Sequence, residues 1–226
     1  MKLLAMDTTA SACSAAVWDN GAIVERLLPM SRGHAEALVP MLRDVMHAAK
    51  LGFRDLDAVA VSVGPGAFTG LRVGLATARG IALGAGVPCL GVPTLQAIAH
   101  SVDWTQAQDD IVLIALDTRR GDFYVQAFHA SRPVAPPEVS TESGLAATYS
   151  GQRLLLAGDA GATLATALTA AGLRIEVLNV PPYPTAGRVA ALAAARWQAG
   201  ERPRTPPSPV YLRPPATCPN LTGLPR

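Results

Sequence analysis

Two Asp-Thr pairs stand where chemistry could be done. Asp7–Thr8 follows the apolar run "LLAM", and Asp117–Thr118 follows "LIAL". At the end of a buried strand such a carboxylate can hold a metal-bound water. The hydroxyl and the neighbouring N–H groups can meet a phosphate. The plainer reading is that Asp and Thr only hydrogen-bond their own turn. The first turn reads Thr9, Ala10, Ser11, Ala12 and has no glycine to let a backbone close on a phosphate. The second carries Arg119, Arg120 and Gly121, which could draw an anion or simply stand in solvent. Asp7, Thr8, Asp117 and Thr118 are therefore candidate vestigial phosphate turns.

The stretch "SVGPGAFTGLRVGLATARG" (62–80) poses the second question. A P-loop needs a Lys and a hydroxyl directly after its last glycine, but Gly70 is followed by Leu71 and Arg72. A dinucleotide fingerprint needs a third glycine three residues after the second, but Gly66 is followed by Ala67, Phe68 and Thr69. As a packing element the stretch makes sense. Gly70, Gly74, Ala78 and Ala82 recur every fourth residue, a ridge low enough for close helix approach. Interior helix glycines cost roughly 0.5–1 kcal/mol each relative to alanine, so contact must offset them. The contact is either a partner chain or the same domain's helix near 34–50. On the partner reading the interface comprises Leu38, Met41, Leu42 and Val45 with Gly70, Leu71, Arg72, Gly74, Ala78 and Arg79. Val39, Met41 and Met46 add apolar surface beyond the main stripe of the 34–50 helix. Gly74→Leu is then expected to block association without unfolding the monomer.

Other chemistry is thin. None of the four histidines is four residues from another, as a helical metal face needs. Cys13, Cys89 and Cys218 are scattered and form no CxxC pair. No GxSxG elbow and no carboxylate pair suggests a catalytic residue. A net charge of +2 with 16% charged residues argues against strong independent nucleic-acid binding. The short apolar start before Asp7 is not a signal peptide, and no apolar run would span a bilayer. A reduced cytoplasmic protein is expected.

The elements that position these residues alternate. Strands around the Asn20-Gly21 turn precede a helix from 34 to 50, and the strand "DAVAVSVG" precedes a helix from 68 to 83. "VPCLGVP" is a strand and "TLQAIAHSV" a helix. A second hairpin at "DIVLIALDTRRGDFYVQAFHA" is followed by a Pro/Ser-rich loop. Then come the strand "RLLLAGDAG", a helix at 162–172 and a last helix in "PTAGRVAALAAARWQAG". This is an α/β chain. It also repeats: "LLAMDTTASACSAAVW" lies on "LIALDTRRGDFYVQAF" without gaps, with Leu3 on Leu113, Ala5 on Ala115, Asp7 on Asp117 and Thr8 on Thr118. Two copies of one αβ unit are expected, at 1–104 and 105–213. A proline-rich tail at 214–226, expected to be mobile, follows a segment able to run extended along a surface.

Together, "LLAMDTTASACSAAVWDNG", "SVGPGAFTGLRVGLATARGIALGAGVPCLGVPTL", "ALDTRRGDFYVQAF" and "PVYLR" resemble the bacterial TsaB (YeaZ) family over residues 1 to about 213. The resemblance implies the actin-like, Hsp70-like (ASKHA) fold of two RNase-H-like lobes. It implies a non-catalytic scaffold, without a cofactor, in forming threonylcarbamoyladenosine beside the anticodon of tRNA. The implied partners are TsaD, a catalytic sister subunit of the same fold, and the ATPase TsaE. A homodimer when alone and at most indirect or weak contact with tRNA are also implied, with no membrane. The sister family carries two metal-binding histidines after a strand like "VPCLGVP"; aligned there, this chain has Thr94 and Ile98. Neither replaces an imidazole. The competing expectation is a stand-alone ATPase or small-molecule kinase of the actin-like class, resting on the Asp-Thr pairs.

Overall fold

The computed structural model describes residues 1–107 and 109–213; the tail expected at 214–226, with Cys218, lies outside the described residues. Two sheets organise the chain. The first contains β1 (Lys2–Ala10), β2 (Ala12–Asp19), β3 (Ala22–Pro29), β4 (Ala58–Ser62) and β5 (Cys89–Val92), in the order β3-β2-β1-β4-β5. β1, β2 and β3 form an antiparallel meander, and β4 and β5 add parallel to β1. Asn20 and Gly21 both take positive φ, 49° and 103°, the left-handed pair the β2–β3 turn demands.

The second sheet contains β6 (Ile111–Asp117), β7 (Phe123–His129), β8 (Arg132–Pro133), β10 (Arg153–Ala157) and β11 (Arg174–Val177), in the order β11-β10-β6-β7-β8. β9 (Glu138–Ser140) also pairs with β7. β6 takes the place of β1, β7 of β2, β10 of β4 and β11 of β5. The repeat seen in the sequence thus extends to strand order and direction.

Helices cover both faces of each sheet. α1 (His34–Ala48) and α2 (Phe68–Ala85) pack on one face of the first sheet, burying Leu38, Leu42, Val45, Leu75 and Ala78 against β1 and β4. The opposite face is covered by α6 (Ala186–Gln198), the last helix among the described residues. Its buried Ala186, Val189, Ala190, Ala193 and Ala194 form a stripe with little bulk, so it lies close to the strands. The first-turn donors of α6 are satisfied from the first sheet and its own cap. Ala186 N donates to Ser14 Oγ (2.9 Å), Gly187 N to Glu25 Oε1 (2.7 Å) and Arg188 N to Thr185 Oγ1 (3.4 Å).

α3 (Thr94–Ala99), which follows β5, makes the reverse crossing. Its Leu95 and Ile98 pack against Val112, Ile114 and Leu116 of the second sheet. α4 (Glu142–Thr148) and α5 (Gly161–Ala170) close the far side of that sheet. The Pro/Ser-rich loop therefore contains an unpredicted helix. Its signal was Thr141, whose side chain accepts from Gly144 N at 3.2 Å as an N-cap. β8, β9 and β11 were also missed; they are short and take their regularity from neighbouring strands.

Candidate functional site

The two Asp-Thr copies have opposite surroundings. β1 does not end at Asp7 but continues to Ala10, with a register shift in its pairing with β2 between the two. Asp7 is fully buried, and Thr8 nearly so. The Asp7 carboxylate accepts from Thr9 N (3.1 Å) and Thr9 Oγ1 (2.9 Å), while Thr8 Oγ1 donates to Gly70 O at 2.7 Å. Burial pushes the Asp7 carboxyl up to about 6, and the hydrogen bonds from Thr9 restrain it. Ser62 Oγ lies close enough to temper the shift, yet it is buried without a hydrogen bond of ordinary geometry among the described residues. The first pair is an internal bolt, and its expected role at a phosphate turn is corrected. The strand carries it past the surface, under α2.

The second pair is open. Asp117 ends β6, its Oδ1 accepting from Arg119 N at 2.6 Å. Asp159, after β10, accepts Asp117 N at 2.8 Å, and the Arg119 guanidinium lies 3.2 Å from Asp117 and 3.7 Å from Asp159. Burial raises the Asp159 carboxyl above its ordinary range, against the pull of the Asp117 N–H and of Arg119. Thr118 bonds within its own turn, its Oγ1 donating to Asp122 O at 3.0 Å. These groups line a cleft of about 630 Å³ between the two sheets. Thr9, Ser11, His34 and Phe68 line the side of the first unit, with Tyr124 opposite. Neither Asp7 nor Thr8 reaches the cleft.

The small ridge on α2 faces inward. A Cβ built on Gly70 would lie 1.9 Å from Thr8 O, and one on Gly74 would lie 2.7 Å from Thr8 Oγ1. The two glycines exist so that α2 can cross the β1 backbone in contact with it. The contact is within the chain, as the plainer expectation had it, but its partner is β1 rather than α1. Eight residues expected at a partner interface are buried inside the chain: Leu38, Met41, Leu42, Val45, Gly70, Leu71, Gly74 and Ala78. Met46, counted as surplus apolar surface, also joins the core. Arg72 and Arg79 are exposed. The reason is rotational: a helix with small residues on two stripes turns the one that meets the strands inward.

The outer side of α2 holds what the sequence reading passed over. Ala76, Gly80 and Gly84 form a second four-residue ridge, all exposed, flanked by half-buried Val73 and by Leu83, which is 84% exposed. α2 contains no acidic residue. Beside it, α1 exposes Val39 at 52%. The signal was present as a second i, i+4 series, but nothing in the spacing ranks one series above the other.

At the positions aligned with the sister family's metal histidines, both side chains are buried. Thr94 Oγ1 accepts from Gly64 N (3.1 Å), and Ile98 packs in the core against the second sheet.

Comparison with known proteins locates the chain. The model of the TsaD family, tRNA N6-adenosine threonylcarbamoyltransferase, matches residues 28–135. The tRNA threonylcarbamoyladenosine biosynthesis protein TsaB of Escherichia coli (strain K12) is 38% identical over 124 residues, which are 55% of this chain and 53% of that protein. The matched region spans about half the length of such curated relatives. The solved structure of YeaZ from Pseudomonas aeruginosa superposes with a TM-score of 0.77 at 27% identity, over 93% of this chain and 99% of that one. A ROK hexokinase from Thermus thermophilus shares the fold alone, with a TM-score of 0.52 at 13% identity over 86% of this chain and all of that one. The fold is thus the α/β actin-like type.

Proposed function

We propose, since the chain belongs to the TsaB (YeaZ) family, that it is a scaffold subunit in the formation of threonylcarbamoyladenosine next to the anticodon of tRNA. Its partner is the catalytic sister subunit TsaD, met through the outer faces of α1 and α2. TsaE joins through that complex, contact with tRNA is indirect, and the chain alone pairs with its own copy on the same face. The setting is the cytoplasm. The lobes are 1–104 and 105–213, with α6 returned to the first. One observation carries the reading: the exposed Ala76-Gly80-Gly84 ridge with Leu83, on a helix without acidic residues and beside Val39 of α1, is an apolar face that no other described residue covers. Its small side chains let a partner helix approach closely, whereas Arg72 and Arg79, expected at the interface, are engaged by Tyr211, Phe68 and Pro207 of the chain itself.

The buried ridge takes no part in this reading. Gly74→Leu drives a side chain into Thr8 and is expected to damage the fold rather than the contact. The informative variants are Ala76→Arg and Leu83→Asp. Each should abolish co-elution with TsaD in size-exclusion chromatography and stop reconstituted tRNA modification, while the isolated chain keeps its circular dichroism and melting temperature. Normal complex formation by both variants would overturn the proposal. The stand-alone kinase alternative keeps only one of the two Asp-Thr pairs it rests on, because Asp7 is enclosed beneath α2 while Asp117 and Thr118 line the cleft.

A further inference from the structure

After α6 the described residues stay on the molecule. Residues 201–213 run without regular structure back over the first unit to the cleft. Their course is pinned at each stage. Arg196 Nε donates to Glu201 Oε2 (2.7 Å) and its Nη1 to Gly91 O (2.6 Å), fixing the exit from α6. Arg79 of α2 then grips Pro207 O through two N–H groups, Nε at 3.1 Å and Nη2. Gly91 leaves room for this crossing, since a Cβ there would lie 2.7 Å from Pro207 Cβ. Val210 N donates to Val63 O at 2.7 Å. Tyr211 packs on Phe68 with ring centroids 5.3 Å apart, and the Arg72 guanidinium lies 3.9 Å over the other partner of that stack, Phe68. Arg72 Nε also reaches the Tyr211 hydroxyl, at 3.4 Å. Finally Arg213 forms an ion pair with Asp122, in the β6–β7 turn of the second sheet.

We propose that residues 201–213 are a strap that limits opening of the cleft between the two sheets, anchored on the first unit by Arg79 and Arg72 and tied to the second by Arg213 and Asp122. Composition suits the task. Pro203, Pro206, Pro207 and Pro209 restrict the segment before it folds and remove donors that an extended surface segment would leave unpaired. Tyr211, Leu212 and Arg213 themselves form part of the cleft wall, so movement of the strap changes the shape of the cleft as well as its width.

Two readouts on the full chain test this. Spin labels at Asp44→Cys on α1 and Thr166→Cys on α5, in a Cys218→Ser background, report the distance between the units. Cys13 and Cys89 are buried and their thiols are pushed up to about 11, mainly by burial, so they stay unlabelled. Amide hydrogen exchange at Val210 reports attachment of the strap. Arg213→Ala should broaden the distance distribution toward longer values while Val210 stays protected. Arg72→Ala with Arg79→Ala should speed Val210 exchange at least about tenfold and broaden the distribution as well. Asp122→Asn should reproduce Arg213→Ala. Unchanged distances in either arginine variant, or unchanged Val210 exchange in the double variant, would overturn the proposal.

Discussion

Asp7–Thr8 and Asp117–Thr118 occupy equivalent places in the two repeats, the first pair inside β1 and the second at the end of β6. One is sealed and the other faces a cleft. The difference comes from what crosses above. Over the first pair runs α2, brought into contact by Gly70 and Gly74, with Thr8 Oγ1 bonded to Gly70 O. At the second, β6 stops at Asp117, and Arg119 and Asp159 close an ion-pair cluster open to solvent on one side. The same dipeptide thus serves as an internal fastener in one copy and as cleft lining in the other. A repeat conserves the path of the backbone more faithfully than the solvent exposure of its side chains.

That comparison can be broken first at the glycines. Gly70→Ala places a Cβ against the Thr8 carbonyl and should cost at least about 3 kcal/mol, or prevent folding altogether. Its control is Gly80→Ala on the outer face of α2. Apart from the adjoining residues and backbone of α2 itself, no described atom lies within 4 Å of the new methyl group, so helix propensity should stabilise the chain by up to about 1 kcal/mol. Urea unfolding of the two variants measures both effects.

The next test is the buried carboxyl. With its folded value raised to about 6, Asp7 holds its proton more tightly folded than unfolded. Its contribution is therefore complete below about pH 4, declines as pH rises through about 4 to 6, and is level above that. Asp7→Asn needs no proton. It should flatten this decline and raise stability at pH 7.5 by roughly 2–3 kcal/mol. Urea midpoints for both proteins at pH 4.5 and 7.5 decide it; a pH dependence unchanged by the substitution would refute the account.

The smallest effect belongs to the open copy. Arg119 is 71% exposed on its side chain, so Arg119→Ala should change stability by less than about 1 kcal/mol, and less still in high salt. A larger loss would mean that the second pair is also a fastener, and the contrast between the copies would fail.

The two Asp-Thr runs, read against each other, located the repeat. The alternation of apolar strands with helices at 34–50, 68–83 and 162–172 located the layers. Both signals are local, because hydrophobic spacing and turn residues act within a few positions of themselves. The site was harder to read. Gly70-Gly74-Ala78-Ala82 and Ala76-Gly80-Gly84 are equally good small-residue series on one helix, and only docking of α2 on β1 separates them. α4 was lost among Ser, Pro and Gly because a helix of seven residues shows little periodicity.

By itself, then, the sequence determined the class of fold, its internal duplication and the presence of a helix rich in small residues. It also displayed the motifs that place the chain among its relatives. Tertiary structure alone decided which stripe of α2 faces outward, which Asp-Thr pair meets the cleft, and that α3 and α6 each cross to the other sheet. Periodicity fixes which residues share a face of an element. It carries no information about which face a distant strand will cover, because that depends on contacts formed between residues far apart in the chain.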